Sequence, residues 1–252
     1  MKKDIKMLLG ELKEYKRLMD EDVNIIHYLK NRLKTDYNTT DMIQISYDLQ
    51  AGKQIKTSRS NPHWEKEYSS AYAKILNRLG KHCSILEVGV GEGINLYNVL
   101  SRMTNTPSII YGFDISYSKV KYARCYIQKK KIKNATLFMG DLFNAAFQDN
   151  SIDIIYTHHS IEANGGREIE ALSELYRITN KYLVLFEPMY ELASNESKKY
   201  MERHGYVRNL YSTAIKLGFK VIEHKILFES NPLSLNNWGV LILEKDKSNK
   251  TK

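Results

Sequence analysis

The segment SILEVGVGEGINLYNVL, residues 84–100, restricts this chain more than any other. A short apolar run carrying one acid, Glu87, leads into Gly89, Gly91 and Gly93, and an amphipathic run comes next. Glycines spaced this way between a strand and a helix let backbone amides meet a ligand with no side chain intervening. In an open α/β sheet such a loop lies beyond the carboxyl end of the strand, where ligands bind. The segment therefore predicts an α/β fold with a ligand over residues 89–93.

The rest of the chain agrees with that expectation. Strands are predicted at 84–90, 108–115, 135–141, 152–159 and 181–188, with helices at 94–103, 116–130, 167–179, 190–203 and 207–217. Short apolar strands alternating with helices form a parallel sheet covered on both faces. Two further strands, 219–229 and 238–245, joined by SNPLSLNN, read as a hairpin. One of that pair must run antiparallel to the others. A seven-stranded, mostly parallel sheet with an antiparallel last strand is expected.

Upstream the pattern differs. Residues 4–34 read as helix, with Ile5, Leu12, Met19, Ile26 and Leu33 at every seventh position. This is an amphipathic helix on the domain or, in the second reading, the seam of a homodimer. Residues 36–62 are polar, broken by Gly and Pro, and read as irregular; 63–80 read as a helix stopped by Gly80. The expected division is a helical N-terminal cap over the substrate, residues 1–68, and a ligand-binding domain, residues 69–252.

Several classes are set aside. No run of 18 apolar residues occurs, so no membrane span is expected. The N-terminus mixes acids into its apolar pattern and lacks a small-residue cleavage site, and it is read as mature protein. Cys83 and Cys125 fit no ligand spacing and are expected to be reduced, buried thiols of a cytoplasmic protein. The net charge of +9 falls partly in the tail EKDKSNKTK and partly in KKKIK at 129–133. Lysines at a helix end complement its dipole and solvate a surface, which argues against a nucleic-acid partner.

The loop itself narrows the ligand. Dinucleotides want G-x-G-x-x-G with the pyrophosphate on the helix N-terminus. Here the third glycine is residue 93, Ile94 occupies the dinucleotide position, and Glu87 and Glu92 bring two acids. Those acids suit a ligand carrying an ammonium and a sulfonium. Asp114 ends the second strand, where it can accept from both hydroxyls of a ribose or cap the next helix. Asp141 stands after the third strand, placed to accept from an adenine amino group, with Leu142 beside the ring.

The stretches ILEVGVGEG, YGFDIS, GDLFNAAFQDNSIDIIYTHHSIE and YLVLFEP resemble the ordered motifs of class I S-adenosylmethionine-dependent methyltransferases. The similarity is greatest to the small-molecule, type 11-like subgroup and covers about residues 70–245. The resemblance implies a Rossmann-like methyltransferase sheet and S-adenosylmethionine as cofactor. It implies that Glu87, Gly89, Gly91 and Gly93 hold the methionine moiety, Asp114 the ribose, and Asp141 with Leu142 the adenine. Ile115 and Thr157, at the same strand ends, complete the cofactor set. The family's LEH stands here as IEA, with Ala163 in place of histidine, so that histidine's role does not carry over.

Methyl transfer needs proximity, orientation and a dry pocket, and a hydroxyl acceptor needs a base as well. No Asp/Asn-Pro-Pro-Tyr/Phe stands after the fourth strand, no Lys-Asp-Lys-Glu tetrad is evident, and no cysteine comes after strand four or five. These absences argue against methylation of base amino groups, RNA ribose and pyrimidine carbon. The fourth strand runs instead into THHSIEANGGRE, with His158 and His159 at the sheet edge. The catalytic candidates are His159, His158 and Glu187; His159 is preferred because it falls on the family's histidine position. Glu162, Asn164, Tyr190 and His204, with Tyr47 and Gln50 from the cap, are the expected substrate contacts. No fixed ligand spacing supports a metal site.

The sequence is thus read as a cytoplasmic O-methyltransferase acting on a polar small molecule. EPMYELAS and YDLQAG loosely resemble bacterial methyltransferases of surface-polysaccharide biosynthesis, which favours a sugar or nucleotide-sugar acceptor. The alternatives are N-methylation of a small amine, an RNA-associated methyltransferase, and a protein that binds the cofactor without turnover.

Overall fold

The computed structural model describes residues 13–14, 17–18, 21, 23–60, 62–228, 235 and 237–246, without the Arg59 side chain. Seven strands form one sheet: β1 Ser84–Val88, β2 Ile109–Asp114, β3 Ala135–Met139, β4 Ile152–His158, β5 Thr179–Phe186, β6 Phe219–Phe228 and β7 Trp238–Lys245. Their order is β3-β2-β1-β4-β5-β7-β6. Strands β1 to β5 pair in parallel, and β7 runs antiparallel to both β5 and β6. The expected sheet, with its antiparallel last strand, is the one observed.

Nine α-helices accompany the sheet from residue 25 onward among the described residues. They are α1 Ile25–Leu33, α2 Thr40–Leu49, α3 Lys53–Ser60, α4 Pro62–Arg78, α5 Ile94–Leu100, α6 Tyr117–Lys129, α7 Glu168–Ile178, α8 Asn195–His204 and α9 Leu210–Lys216. Side chains alternate across a strand, so β1 feeds both faces. Leu86 joins Leu172, Leu175 and Ala214 from α7 and α9 on one side. Ile85 joins Tyr72, Leu76, Leu96 and Ala123 from α4, α5 and α6 on the other. Every residue of β1 is buried, as a central parallel strand requires.

The N-terminal third departs from expectation. Most of the described part of 36–62 is helical, not irregular, with α2 at 40–49, α3 at 53–60 and α4 starting at Pro62. Thr39 caps α2 by accepting from the Met42 amide, and Met42, Ile43 and Ser46 are buried. Residues 4–34 are not one continuous helix either, because Asn24 caps a fresh start at α1 by accepting from the His27 amide. Ile25 and Leu29 face inward, whereas Leu33 of the seven-residue series is 62% exposed. Ile5, Leu12 and Met19 lie outside the described residues. The boundary expected at 68/69 falls inside α4, whose Tyr68, Tyr72 and Leu76 pack in the core.

Smaller corrections concern the C-terminal half and the thiols. A 3₁₀ turn, Tyr190–Leu192, precedes α8 where a single helix was expected, because Ser194 accepts from the Ser197 amide and starts the helix there. Cys83 and Cys125 are exposed, not buried. No described helix is long and apolar enough to cross a membrane.

Candidate active site

Gly89, Gly91 and Gly93 all adopt left-handed backbone, with φ of 72°, 53° and 78°. At Gly89 a Cβ would stand 2.1 Å from the Ser160 Cβ, so no other residue fits. The loop is held against β2. The Gly89 and Val90 amides donate to the Phe113 carbonyl, and the Gly91 amide donates to Asp114 Oδ2 at 2.9 Å. The other oxygen, Oδ1, accepts from the Ser116 amide at 2.8 Å. Burial pushes the Asp114 carboxyl up, against the opposing pull of Lys119 and those two amides.

A cavity of about 790 Å³, part of it open to solvent, lies over this loop. Gly89, Gly91, Asp114, Ile115, Asp141 and Leu142 line it from the sheet side, His158 from the end of β4, and His159 and Asn164 from the loop after it. Thr40, Ile43, Tyr47 and Gln54 close it from α2 and α3. Asp141 Oδ1 accepts from the Phe143 amide at 2.9 Å, which fixes the short turn after β3. Phe143 also lines the cavity, with the Arg167 guanidinium 3.4 Å from its ring centroid.

Three acids expected near the ligand are engaged elsewhere. Glu87 lies buried under the loop and accepts from Asn95 Nδ2 at 2.5 Å and the Tyr156 hydroxyl at 3.0 Å. Burial pushes its carboxyl up to about 8. Glu187 is likewise buried and outside the cavity, because its Oε1 accepts from the Ser160 and Ile161 amides at 3.0 and 3.3 Å. Burial and the nearby Glu162 push it up to about 7. Glu92 accepts from the Gly52, Gln54 and Ile55 amides at 2.7, 3.3 and 2.9 Å, capping α3 from a distant loop. Gln54 Oε1 returns the contact by accepting from the Glu92 amide at 3.2 Å. Thr157, expected in the cofactor set, is fully buried and outside the cavity because it is still inside β4.

The two histidines occupy different environments. His158 Nδ1 lies 3.1 Å from the Tyr72 hydroxyl, and its ring stacks on Tyr68. Burial holds it well below the usual histidine range, so it stays neutral. His159 takes left-handed backbone at φ 48°, and its Nδ1 is 2.7 Å from Glu162 Oε2. A carboxylate only accepts, so Nδ1 carries the hydrogen. Burial alone would depress His159, but Glu162, with Glu187 behind it, raises it above 6.5. Its Nε2 is buried with no partner among the described residues.

A second cavity, about 920 Å³ with its open part, adjoins the first at Tyr47. Gln50, Glu162 and His204 line this second space, while Asn164 faces only the first. Tyr190 lines neither, since its hydroxyl donates to Glu202 at 2.6 Å on the exposed turn. Lys119 was not anticipated. It is buried in the first cavity with Nζ 4.4 Å over the Tyr47 ring, yet in SYSKVKYARCY it reads as one more surface lysine. Phe143 was legible in principle, as the next residue of the GDLF turn.

A family model described as a methyltransferase domain matches residues 79–232. Among solved structures, magnesium protoporphyrin IX methyltransferase from Synechocystis PCC 6803 aligns at 15% identity and TM-score 0.57, over 72% of this chain and 83% of that one. A putative sarcosine dimethylglycine methyltransferase from Galdieria sulphuraria aligns at 16% identity and TM-score 0.57, over 72% and 85%. Geranyl diphosphate C-methyltransferase from Streptomyces coelicolor aligns at 11% identity and TM-score 0.55, over 70% and 77%. These likenesses show a shared fold. No curated protein matches the sequence.

Proposed function

This chain belongs to the methyltransferase domain family, whose model covers residues 79–232, and we propose that the group it methylates is a hydroxyl of a polar small molecule. It is an S-adenosylmethionine-dependent enzyme, and the cavity suits that cofactor. Gly89 and Gly91 line it with bare backbone, and a Cβ at either would collide with Ser160 or Gln54, which line it too. Asp114 and Asp141 stand at successive strand ends along the same wall, where a nucleoside needs acceptors. In our reading Asp114 holds the ribose and Leu142 with Phe143 the adenine. Bound S-adenosylmethionine supplies a methyl group already activated on its sulfonium.

One observation carries the choice of a hydroxyl. The His159–Glu162 pair leaves a buried, unpartnered Nε2 beside the cofactor cavity. Glu162 fixes the tautomer, so the lone pair of neutral His159 is on Nε2, free of any protein donor and able to take a proton from an acceptor that reaches it. Glu187 holds the Ser160 and Ile161 amides, and so sets the loop that carries this pair. A sugar or nucleotide-linked sugar fits the polar second cavity, and a surface-polysaccharide role would follow from such an acceptor. Helices α1 to α3 act in this reading as the cap that excludes water. Incubating the enzyme with labelled cofactor and paired hydroxyl and amine acceptors tests the assignment. Label moving only to the amines would overturn it.

Two results are expected of the same site. Asp114→Ala should weaken S-adenosylhomocysteine binding by tens-fold, since each charge-assisted hydrogen bond contributes about 1.5–3 kcal/mol. Calorimetry giving wild-type affinity would remove Asp114 from the cofactor site. The second result concerns pH. A base works deprotonated, and His159 titrates above 6.5, so kcat/KM should rise with pH through that raised value. Glu162→Gln removes the charge that raises it, and the rise should move to lower pH while kcat drops. An unmoved profile would separate Glu162 from the base.

A further inference from the structure

The second cavity has a chemistry of its own. Lys30 from α1 lines it and is buried, only 9% exposed, a rare situation for a lysine with no carboxylate beside it. Among the described residues neither Lys30 nor Arg203, on the facing α8, has an ion-pair partner. His204 Nδ1 donates to the Tyr200 carbonyl at 2.8 Å, which leaves its Nε2 for the cavity. The acid on this wall, Glu162, is already paired with His159. With no carboxylate beside it, this lysine lines a cavity in which an anion would offset the cost of its partial desolvation.

Tyr47 lines both cavities, and Glu162 of the second is paired with His159 of the first. An acceptor anchored on Lys30 and Arg203 would therefore extend past Tyr47 toward His159 Nε2. We infer that the second cavity is an anion subsite, built to hold a phosphate or carboxylate group of the methyl acceptor through Lys30 and Arg203. This rests on the hydroxyl-methylation reading and narrows its substrate to an acidic polyol, such as a phosphorylated sugar. It gives the enzyme an anchor remote from the reacting oxygen. Binding energy from that anchor is what holds a small, flexible hydroxyl compound in line.

Titration with sodium pyrophosphate and, separately, sodium malonate tests this, on the full chain saturated with S-adenosylhomocysteine. One of the two should bind, pyrophosphate marking a phosphorylated acceptor and malonate a carboxylated one. Lys30→Gln and Arg203→Gln should each weaken that anion about tenfold or more, the share of one charge-assisted contact. S-adenosylhomocysteine affinity should stay unchanged in both variants, which reports that they are folded. No binding of either anion, or equal binding by wild type and both variants, would overturn the subsite. Anion binding that depends on Lys30 in an enzyme that methylates only amines would support the subsite and overturn the hydroxyl reading alone.

Discussion

Replacing His159 by asparagine is expected to cut turnover about a hundredfold or more, a common share for acid–base catalysis, with S-adenosylhomocysteine still bound normally. Asparagine is the informative choice because His159 adopts φ 48°, a conformation that asparagine tolerates and alanine does not. A loss would then report the missing imidazole and not a strained loop. His158→Asn should cost less, since His158 is held neutral between Tyr72 and Tyr68 and has no carboxylate to orient it. Single-turnover measurement separates the chemical step from release. If the His159 variant turns over normally while His204→Ala is inactive, the proton leaves on the side of the second cavity and the base is misassigned.

Removing residues 1–60 is expected to abolish transfer and to weaken S-adenosylhomocysteine about tenfold or more, as expected when a buried carboxylate loses its hydrogen bonds. A cap lying over the substrate alone, as the sequence is read above, would leave the cofactor untouched. The structure argues otherwise, because Thr40, Ile43, Tyr47 and Gln54 wall the cofactor cavity and Glu92 would lose three amide donors. Calorimetry on the truncated protein, with circular dichroism to show that the sheet remains, decides the matter. Wild-type affinity would confine the cap to the acceptor.

How much could be read from the residues depended on whether the signal was local. The sheet was legible because each strand carries its own apolar run, and β1 together with its glycines names the fold almost alone. Asp114, Asp141 and Leu142 were legible because strand ends in this topology converge on one cavity. Helix α3, KQIKTSRS, was not, since it has no apolar stripe and its N-terminal amides are satisfied by Glu92 from a distant loop. The same long-range contact hid the true position of Glu92, which by sequence looked like a cofactor ligand. The partners of Glu87 and Glu187 were not legible for a related reason: an acid at the end of a strand can point under the loop as readily as over it, and backbone amides or Asn95 can satisfy it there. The pairing of His159 with Glu162 rests on the left-handed turn at His159, which spacing does not announce.

The bonds between Glu92 and residues 52–55 have a kinetic consequence. The glycine loop and the α3 end of the cap are latched by one carboxylate, and Gln54 closes the latch from the other side. Swinging that part of the cap away strips the carboxylate of its donors and frees the loop in the same motion. With the cofactor and acceptor placed as proposed above, both would pass the same contact on their way to the cavity, and slow unlatching would then cap turnover.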